Sequence, residues 1–267
     1  FTLAPTVLNA VDNPWSFNLP PQTTLMASAV FDHMKAEGVK KVGYVGFSDS
    51  WGEQWLVELK KHEASGAVEV VGEERFSRGD SSVMGQVLKL LSQKPDAILV
   101  GATSSAAGLV QKTLREQRYD GPIYHTHGAT TPDFVRIAEA TAEGAIAPAG
   151  PSTVAEELPD SNMTKAAGVT FVKNYEDKHG AGTRTPFAAH LNDGFIVLQT
   201  AIPAAVKVAQ PGTDEFREAL KVAVENLKEL PASQGVYNYA ATDHDGLDER
   251  ARVLVVVKDG AWRYLSD

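Results

Sequence analysis

The sequence predicts an α/β protein built on doubly wound parallel sheet, and three observations carry that expectation. Between residues 23 and 149, short apolar runs rich in β-branched residues alternate regularly with helical patterns. After Gly150 the beat changes to three long helical segments with no strand between them. From Gln234 onward the pattern returns to β.

The elements follow in order. A helical pattern over Thr23–Glu37 stops at Gly38, and Val39–Phe47 (VKKVGYVGF) reads as a strand. A helix from Trp51 to about Ala64 leads to a strand at Val68–Phe76, and a helix at Ser81–Ser92 leads to a buried strand at Pro95–Gly101. Ser104–Gln117 is helical, Gly121–Thr126 is the next strand, Thr131–Glu139 the next helix, and Gly144–Ala149 closes the series. Five strands separated by helices imply parallel pairing with helices on both faces, because parallel neighbours need a crossover.

Pro151–Pro159 reads as an acidic, proline-containing connector. The helices expected beyond it are Met163–Lys178, Pro186–Ala209 and Thr213–Leu230, with Pro203 expected to kink or break the second. The β tail comprises Gln234–Tyr239, a polar turn at Asp243–Gly246, and Ala251–Lys258 hairpinned to Trp262–Leu265 through Lys258-Asp259-Gly260. The three helices need a sheet on which to bury their faces, and a second doubly wound lobe takes roughly another hundred residues. A first lobe that is incomplete in this chain is therefore expected.

Composition narrows the function classes. The 267 residues are 43% hydrophobic and 22% charged, with a net charge of -9; mean hydropathy is -0.19 and the pI near 5.3. An acidic balance argues against a nucleic-acid partner, which calls for a clustered basic surface. No run approaches the ~20 apolar residues of a membrane span. With no cysteine, thiol catalysis, thiolate metal sites and disulfides are excluded. The chain opens at Phe1 with no leader, so upstream processing or truncation is expected.

The carrying segments are PWSFNLPP (Pro14–Pro21), VGYVGFSDSWGEQW (Val42–Trp55), PDAILVGATSSAAGLVQ (Pro95–Gln111), GPIYHTHGATTPDF (Gly121–Phe134), EGAIAPAGP (Glu143–Pro151) and the tail GVYNYAATDHDGLDERARVLVVVKDGAW (Gly235–Trp262). In order and spacing they resemble the type I periplasmic binding proteins of the leucine/isoleucine/valine-binding group, which serve ABC importers. The tail looks like the subgroup that binds aromatic and related carboxylic acids. The resemblance implies two doubly wound parallel-sheet lobes. The first, incomplete, lobe would comprise residues 1–13 and 152–247, and the second 14–151 and 248–267. Crossings near Asn13, Pro151 and Leu247 would form a hinge about which the clamp closes on ligand. It also implies a periplasmic location, a membrane permease as partner, a small-molecule ligand in the inter-lobe cleft, no catalysis and no cofactor. A truncated lobe leaves a sheet edge on which a homodimer could form.

In doubly wound sheets ligands sit beyond the carboxyl ends of the parallel strands. The loop Ser48-Asp49-Ser50-Trp51-Gly52 is the first candidate. Amino-acid binders of the family carry a tyrosine where this chain has Trp51, whose larger face could stack on an aromatic ring; Trp55, at helical spacing from it, reads as core. In the second loop, Ala102-Thr103-Ser104-Ser105, the family match puts Thr103 on the ligand, while Ser104 or Ser105 could cap the next helix. The third is His125-Thr126-His127-Gly128, where alternation puts both histidines on one face if the strand continues that far.

In amino-acid binders an acidic residue that pairs with the ligand ammonium stands where this chain has His127. Thr103 and His127 lie 24 residues apart, as the family requires. Without that carboxylate, burying an ammonium costs on the order of several kcal/mol, whereas a histidine suits a carboxylate, hydroxyl or keto oxygen as donor or cation. The expected ligand is thus an acid lacking an α-amine, aromatic or keto in type. Ala149, in the turn Pro148-Ala149-Gly150, is a fourth candidate that could equally be hinge. Ala4 and Thr6 lie near the family's carboxylate contacts, and His190 and Asn192 stand where family members place cleft residues, although a polar helix face explains them too.

Three alternatives stay open: a branched-chain or other amino-acid binder, a ligand-sensing regulator of the same fold, and a metal-dependent hydrolase using His125 and His127. Asp243-His244-Asp245-Gly246 is more simply a turn than a metal site.

Overall fold

In the computed structural model, which describes residues 1–3 and 13–266, the period-two alternation of the apolar runs sets the two faces of one sheet. In β1 (Lys41–Phe47) Val42 and Tyr44 face one way and Val45 and Phe47 the other; in β3 (Ala97–Gly101) Leu99 and Val100 divide likewise. The first face is covered by Met26, Val30 and Met34 of α1 (Thr23–Ala36) and by Trp55 and Leu59 of α2 (Ser50–Ala64). The second is covered by Val87 and Leu90 of α3 (Met84–Leu91), Val110 and Leu114 of α4 (Ser104–Glu116), and Phe134 of α5 (Pro132–Ala138). Both layers exclude water from residues that read as buried strands in the sequence.

With β2 (Glu69–Phe76), β4 (Ile123–His125), β5 (Ile146–Ala149), β8 (Val253–Lys258) and β9 (Ala261–Tyr264), the sheet has the order β2-β1-β3-β4-β5-β8-β9. The first five strands pair in parallel and the last two antiparallel. The chain reverses direction of winding between β1 and β3. That is the topological switch point, where a crevice opens outside the strand carboxyl ends. The β8–β9 turn matches its sequence signature: Asp259 and Gly260 both adopt positive φ, 53° and 69°, as a type I′ hairpin demands.

One tyrosine locks the carboxyl edge of this sheet. The Tyr44 hydroxyl donates to the Gly52 carbonyl at 2.7 Å, under the first turn of α2. Cβ atoms on Gly46 or Gly101 would overlap that hydroxyl. Gly101→Ala is therefore expected to lower the unfolding free energy by about 1–3 kcal/mol through overpacking. Adding Tyr44→Phe, which removes the overlapped oxygen, should recover part of that loss in urea titrations.

The chain divides into two compact units, Thr23–Ala149 with Val253–Asp267, and Phe1–Gln22 with Gly150–Arg252. The sequence expectation put Pro14–Gln22 with the sheet just described. It sits instead with the other unit, because its backbone is bonded there. Thr2 N–H donates to Phe17 O, Asn18 N–H to His244 O, and the Tyr237 and Tyr239 hydroxyls to Leu19 O and Asn18 O.

That unit carries α6 (Lys165–His179), α7 (Pro186–Val206), α8 (Asp214–Glu225) and a two-stranded antiparallel sheet of β6 (Leu230–Pro231) and β7 (Val236–Tyr237). The carboxylate of Asp193, fully buried on α7, ties the last of these segments down. It accepts from Ser233 N–H (2.8 Å), Ser233 Oγ (2.5 Å), Gln234 N–H (2.8 Å) and the Tyr237 hydroxyl (3.4 Å). Helix α7 runs through Pro203 without a break and stops one turn later, and α8 ends five residues earlier than its pattern suggested. One stripe of α7 (Phe187, Leu191, Phe195, Ile202, Val206) remains exposed. No helix among the described residues is long and apolar enough to cross a membrane.

Candidate functional site

Three loops at the carboxyl ends of β1, β3 and β4 build the candidate site, and they lie at or beside the switch point. After β1, Asp49 takes the N-cap position of α2 and accepts from Trp51 N–H (3.0 Å) and Gly52 N–H (3.3 Å). Its other oxygen accepts from Arg78 Nε at 2.5 Å. Burial alone would raise the Asp49 pKa, but the Arg78 bond and the two backbone donors outweigh it and hold the carboxyl below its usual range. Asp49 therefore shapes the loop. Ser50, the first residue of α2, is exposed.

Capping places Trp51 on the first turn, half-buried and packed against the apolar layers of both sheet faces. Its ring lies 4.9 Å from the His127 ring at 54°, and the buried Trp55 lies 6.0 Å from the same imidazole. Gly128 brings the third loop against the second. A Cβ there would stand 2.5 Å from Thr103 Cγ2 and 3.0 Å from Trp51 Cζ2. Trp51, Thr103 and His127, three candidates from separate loops, are thus brought together.

Thr103 itself is the N-cap of α4, in extended conformation with no side-chain cap bond. Neither serine after it caps the helix. Ser104 adopts a positive φ of 47°, uncommon for a side-chain-bearing residue, and accepts from the Thr131 hydroxyl at 3.1 Å. Ala102 sits in the core, and its carbonyl accepts from Thr126 Oγ1 at 2.6 Å, tying the β3 end to the β4 end. Ala149 is buried as the last residue of β5 and pairs with Val253.

The two histidines part company. Strand β4 ends at His125, and a 3-10 turn begins at His127, so period-two alternation no longer applies. His125 packs edge-on to Phe134, with Nε2 2.9 Å from Gln111 Oε1. Since the Gln111 amide donates to Thr141 O, its oxygen accepts from His125, which fixes the Nε2–H tautomer. His127 turns to Trp51 and Trp55 instead. A metal site on this pair fails on that geometry, and no three His, Asp or Glu side chains among the described residues could hold a metal ion.

Burial pushes the His127 pKa down to about 4 and that of His125 to about 3. His127 is therefore neutral at pH 7 in the unliganded chain, where its imidazole can donate or accept. At 6% exposure, its Nδ1 has no partner among the described residues, and neither has the indole nitrogen of Trp51 or of Trp55. Pairing these nitrogens to a guest is what the arrangement can do; among the residues gathered here none is a nucleophile poised on a base.

Of the remaining candidates, Ala4 and Thr6 fall outside the described residues. His190 and Asn192 belong to the other unit: His190 is buried on α7 rather than on a polar face, and Asn192 donates to Asp193 at 3.4 Å. Asp243 closes an Asx turn by accepting from Asp245 N–H at 2.9 Å. His244 stacks on Phe17 and bonds Ser16 O, as a structural residue. Sequence reasoning missed Gly128, whose closeness to Thr103 and Trp51 carries no local signature.

Residues 2–261 match a family described as periplasmic binding protein. An extracellular ligand-binding receptor from Rhodopseudomonas palustris HaA2 is 47% identical, with a TM-score of 0.91 over 94% of this chain and 71% of that one. A second such receptor from the same organism is 37% identical, with a TM-score of 0.87 over 93% of this chain and 69% of that one. An ABC-transporter solute-binding protein from R. palustris, solved in complex with benzoate, shares the fold at 19% identity (TM-score 0.72, 93% of this chain and 64% of that one). No curated protein matches the chain. The order of elements, the switch-point loops and these matches agree: the chain belongs to the periplasmic binding protein family and has the type I fold.

Proposed function

We propose that this protein is the extracytoplasmic solute-binding component of an ABC importer, that it works in the periplasm with a membrane permease, and that it catalyses no reaction. Its ligand is a small carboxylic acid lacking an α-amine, aromatic or keto in type, held at the loops that follow β1, β3 and β4. One observation carries the ligand class. Where an amino-acid binder needs a carboxylate for the ammonium, this chain has a buried, neutral His127 facing two indoles. The only carboxylate in these loops, Asp49, is engaged by a helix end and Arg78. An ammonium buried here would go uncompensated, at a cost on the order of several kcal/mol.

A thermal-shift panel on the full-length protein tests this reading with benzoate, phenylpyruvate, 2-oxoisocaproate, leucine and valine. At a hundred times its dissociation constant a ligand adds about 2.7 kcal/mol, enough to raise the melting temperature by a few degrees. Acids alone should shift the melt. A shift with leucine or valine and none with any acid would leave the family intact and the ligand class wrong.

A further inference from the structure

The chain passes between its two compact units at Gln22–Thr23, Ala149–Gly150 and Arg252–Val253. We propose that Gln234 is the abutment of the second crossing. Its carboxamide takes the space that a side chain on Gly150 would fill and holds the residues after the crossing rigid, so Gly150 serves close contact and not bending. The bearing of this device on ligand capture rests on the functional reading above.

The backbone gives no reason for a glycine at this position. Gly150 adopts φ -72° and ψ 151°, a conformation open to every residue. On backbone grounds alone, alanine there would stabilise the fold by narrowing the unfolded ensemble. Contact supplies the reason instead: a Cβ on Gly150 would stand 2.0 Å from Gln234 Oε1 and 2.6 Å from its Cδ.

Gln234 is not free to swing aside. It is fully buried, and each of its polar groups is engaged. Its N–H donates to Asp193 Oδ2 at 2.8 Å, its Oε1 accepts from Ser152 Oγ at 2.9 Å, and its Nε2 donates to Pro186 O at 3.3 Å. One side chain thereby joins α7, the segment before β7 and the residues that follow the crossing.

Both flanks of the junction are held as well. Before it, Ala149 ends β5 and pairs with Val253, the first residue past the third crossing. After it, Gly150 O accepts from Thr153 N–H at 3.1 Å, closing a turn in which Pro151, Ser152 and Val154 are buried. Gly168 lets α6 close on the chain just beyond, where a Cβ would stand 2.8 Å from Ala155 Cβ. With partners this near on either side, a change of backbone angle is confined to the link between Ala149 and Gly150.

Two measurements on the unliganded full-length protein test the assignment. The first is a melting cycle. Gly150→Ala should lower the melting temperature by about 4–8 °C in the unsubstituted protein, and by less than about 2 °C once Gln234→Ala has removed the carboxamide. The second is the spread of distances between spin labels at Lys89→Cys and Lys173→Cys, both exposed, one on each unit of a chain without cysteine. Gln234→Ala should broaden that distribution about 1.5-fold or more, and Ser152→Ala, which removes one bond to the carboxamide, by a smaller measurable amount. Gly101→Ala, which strains the core of the other unit, should lower the melting temperature and leave the width unchanged. Should Gln234→Ala fail to fold, the Ser152→Ala width decides. A Gly150→Ala variant that melts higher, or that loses as much with Gln234 truncated as without, overturns the inference; so does a width that neither Gln234→Ala nor Ser152→Ala changes. No ligand enters these measurements, so a failure of every acid in the thermal-shift panel overturns the functional reading and leaves the abutment to its own result.

Discussion

Truncating Trp51 to alanine is expected to weaken binding of aromatic acids by roughly 100-fold, with Trp51→Phe recovering most of the loss for an unsubstituted ring. The estimate follows from area. One face of a bound ring covers on the order of 100 Å² of indole, worth about 2–3 kcal/mol at ~25 cal/mol per Å², and each 1.4 kcal/mol is tenfold in affinity. Trp51 is held rigidly enough for that area to count. Asp49 caps the turn that carries it, the Tyr44 hydroxyl pins the carbonyl of the next residue, and the His127 ring supports it 4.9 Å away. Pre-organisation matters because a side chain that must be ordered on binding returns part of its contact energy as lost entropy.

Since the indole also contributes to both apolar layers, Trp51→Ala lowers stability too. Affinity is therefore to be measured by calorimetry well below the variant's melting temperature, with circular dichroism confirming the fold. Unchanged affinity in folded Trp51→Ala would place the ligand elsewhere on the molecule. Asp49→Ala offers a milder comparison, for it removes the cap without touching the ring.

Most of the sheet was legible because its residues announce both faces. The runs at Val42–Phe47 and Ala97–Val100 place successive side chains in opposite apolar layers, and no competing period fits them. Helix starts at Asp49, Thr131, Thr185 and Thr213 carry capping side chains that bond the first-turn N–H groups. The family resemblance, with their place at strand ends, singled out Trp51, Thr103 and His127, and the structure brings the three side chains near one another.

What failed were inferences that extended a local rule past its element. Alternation would put His125 and His127 on one face only if the strand ran that far, but β4 ends at His125 and a 3-10 turn begins at His127. Ser104 and Ser105 were candidate caps for the next helix, yet the cap position fell to Thr103 and Ser104 took a positive φ. Residues 14–22 were expected in the lobe of the large sheet, while their partners (His244, Tyr237 and Tyr239) lie more than 200 residues on. No window of sequence contains such pairings. Burial was equally invisible, and burial is what keeps His127 neutral.

Asp193 shows the same limit and supplies the largest expected loss of stability. In sequence it is one polar residue on a long helix; in the fold it is fully buried and holds a segment 40 residues downstream. Asp193→Ala strands the N–H groups of Ser233 and Gln234 and the Ser233 hydroxyl without their acceptor. At about 1–3 kcal/mol for each buried donor left unpaired, the expected cost is roughly 3–5 kcal/mol in urea denaturation. Asp193→Asn keeps one acceptor oxygen and should cost less.

The same carboxylate predicts a pH dependence. Burial raises the Asp193 pKa from 3.8 to about 6, even though the bonds from Ser233, Gln234 and Asn192 pull the other way. Between those two values the folded chain binds more protons than the unfolded chain, so this group makes stability rise as pH falls. The penalty for ionising it is present in full above about pH 6 and gone below pH 3.8. Subtracting the Asp193→Asn profile from that of the unsubstituted protein isolates the effect, since other carboxylates titrate in both. The difference should grow by roughly 2–3 kcal/mol in favour of the unsubstituted protein between pH 7 and pH 4. Parallel profiles would mean that Asp193 stays ionised across that range, and that its hydrogen-bond donors outweigh its burial.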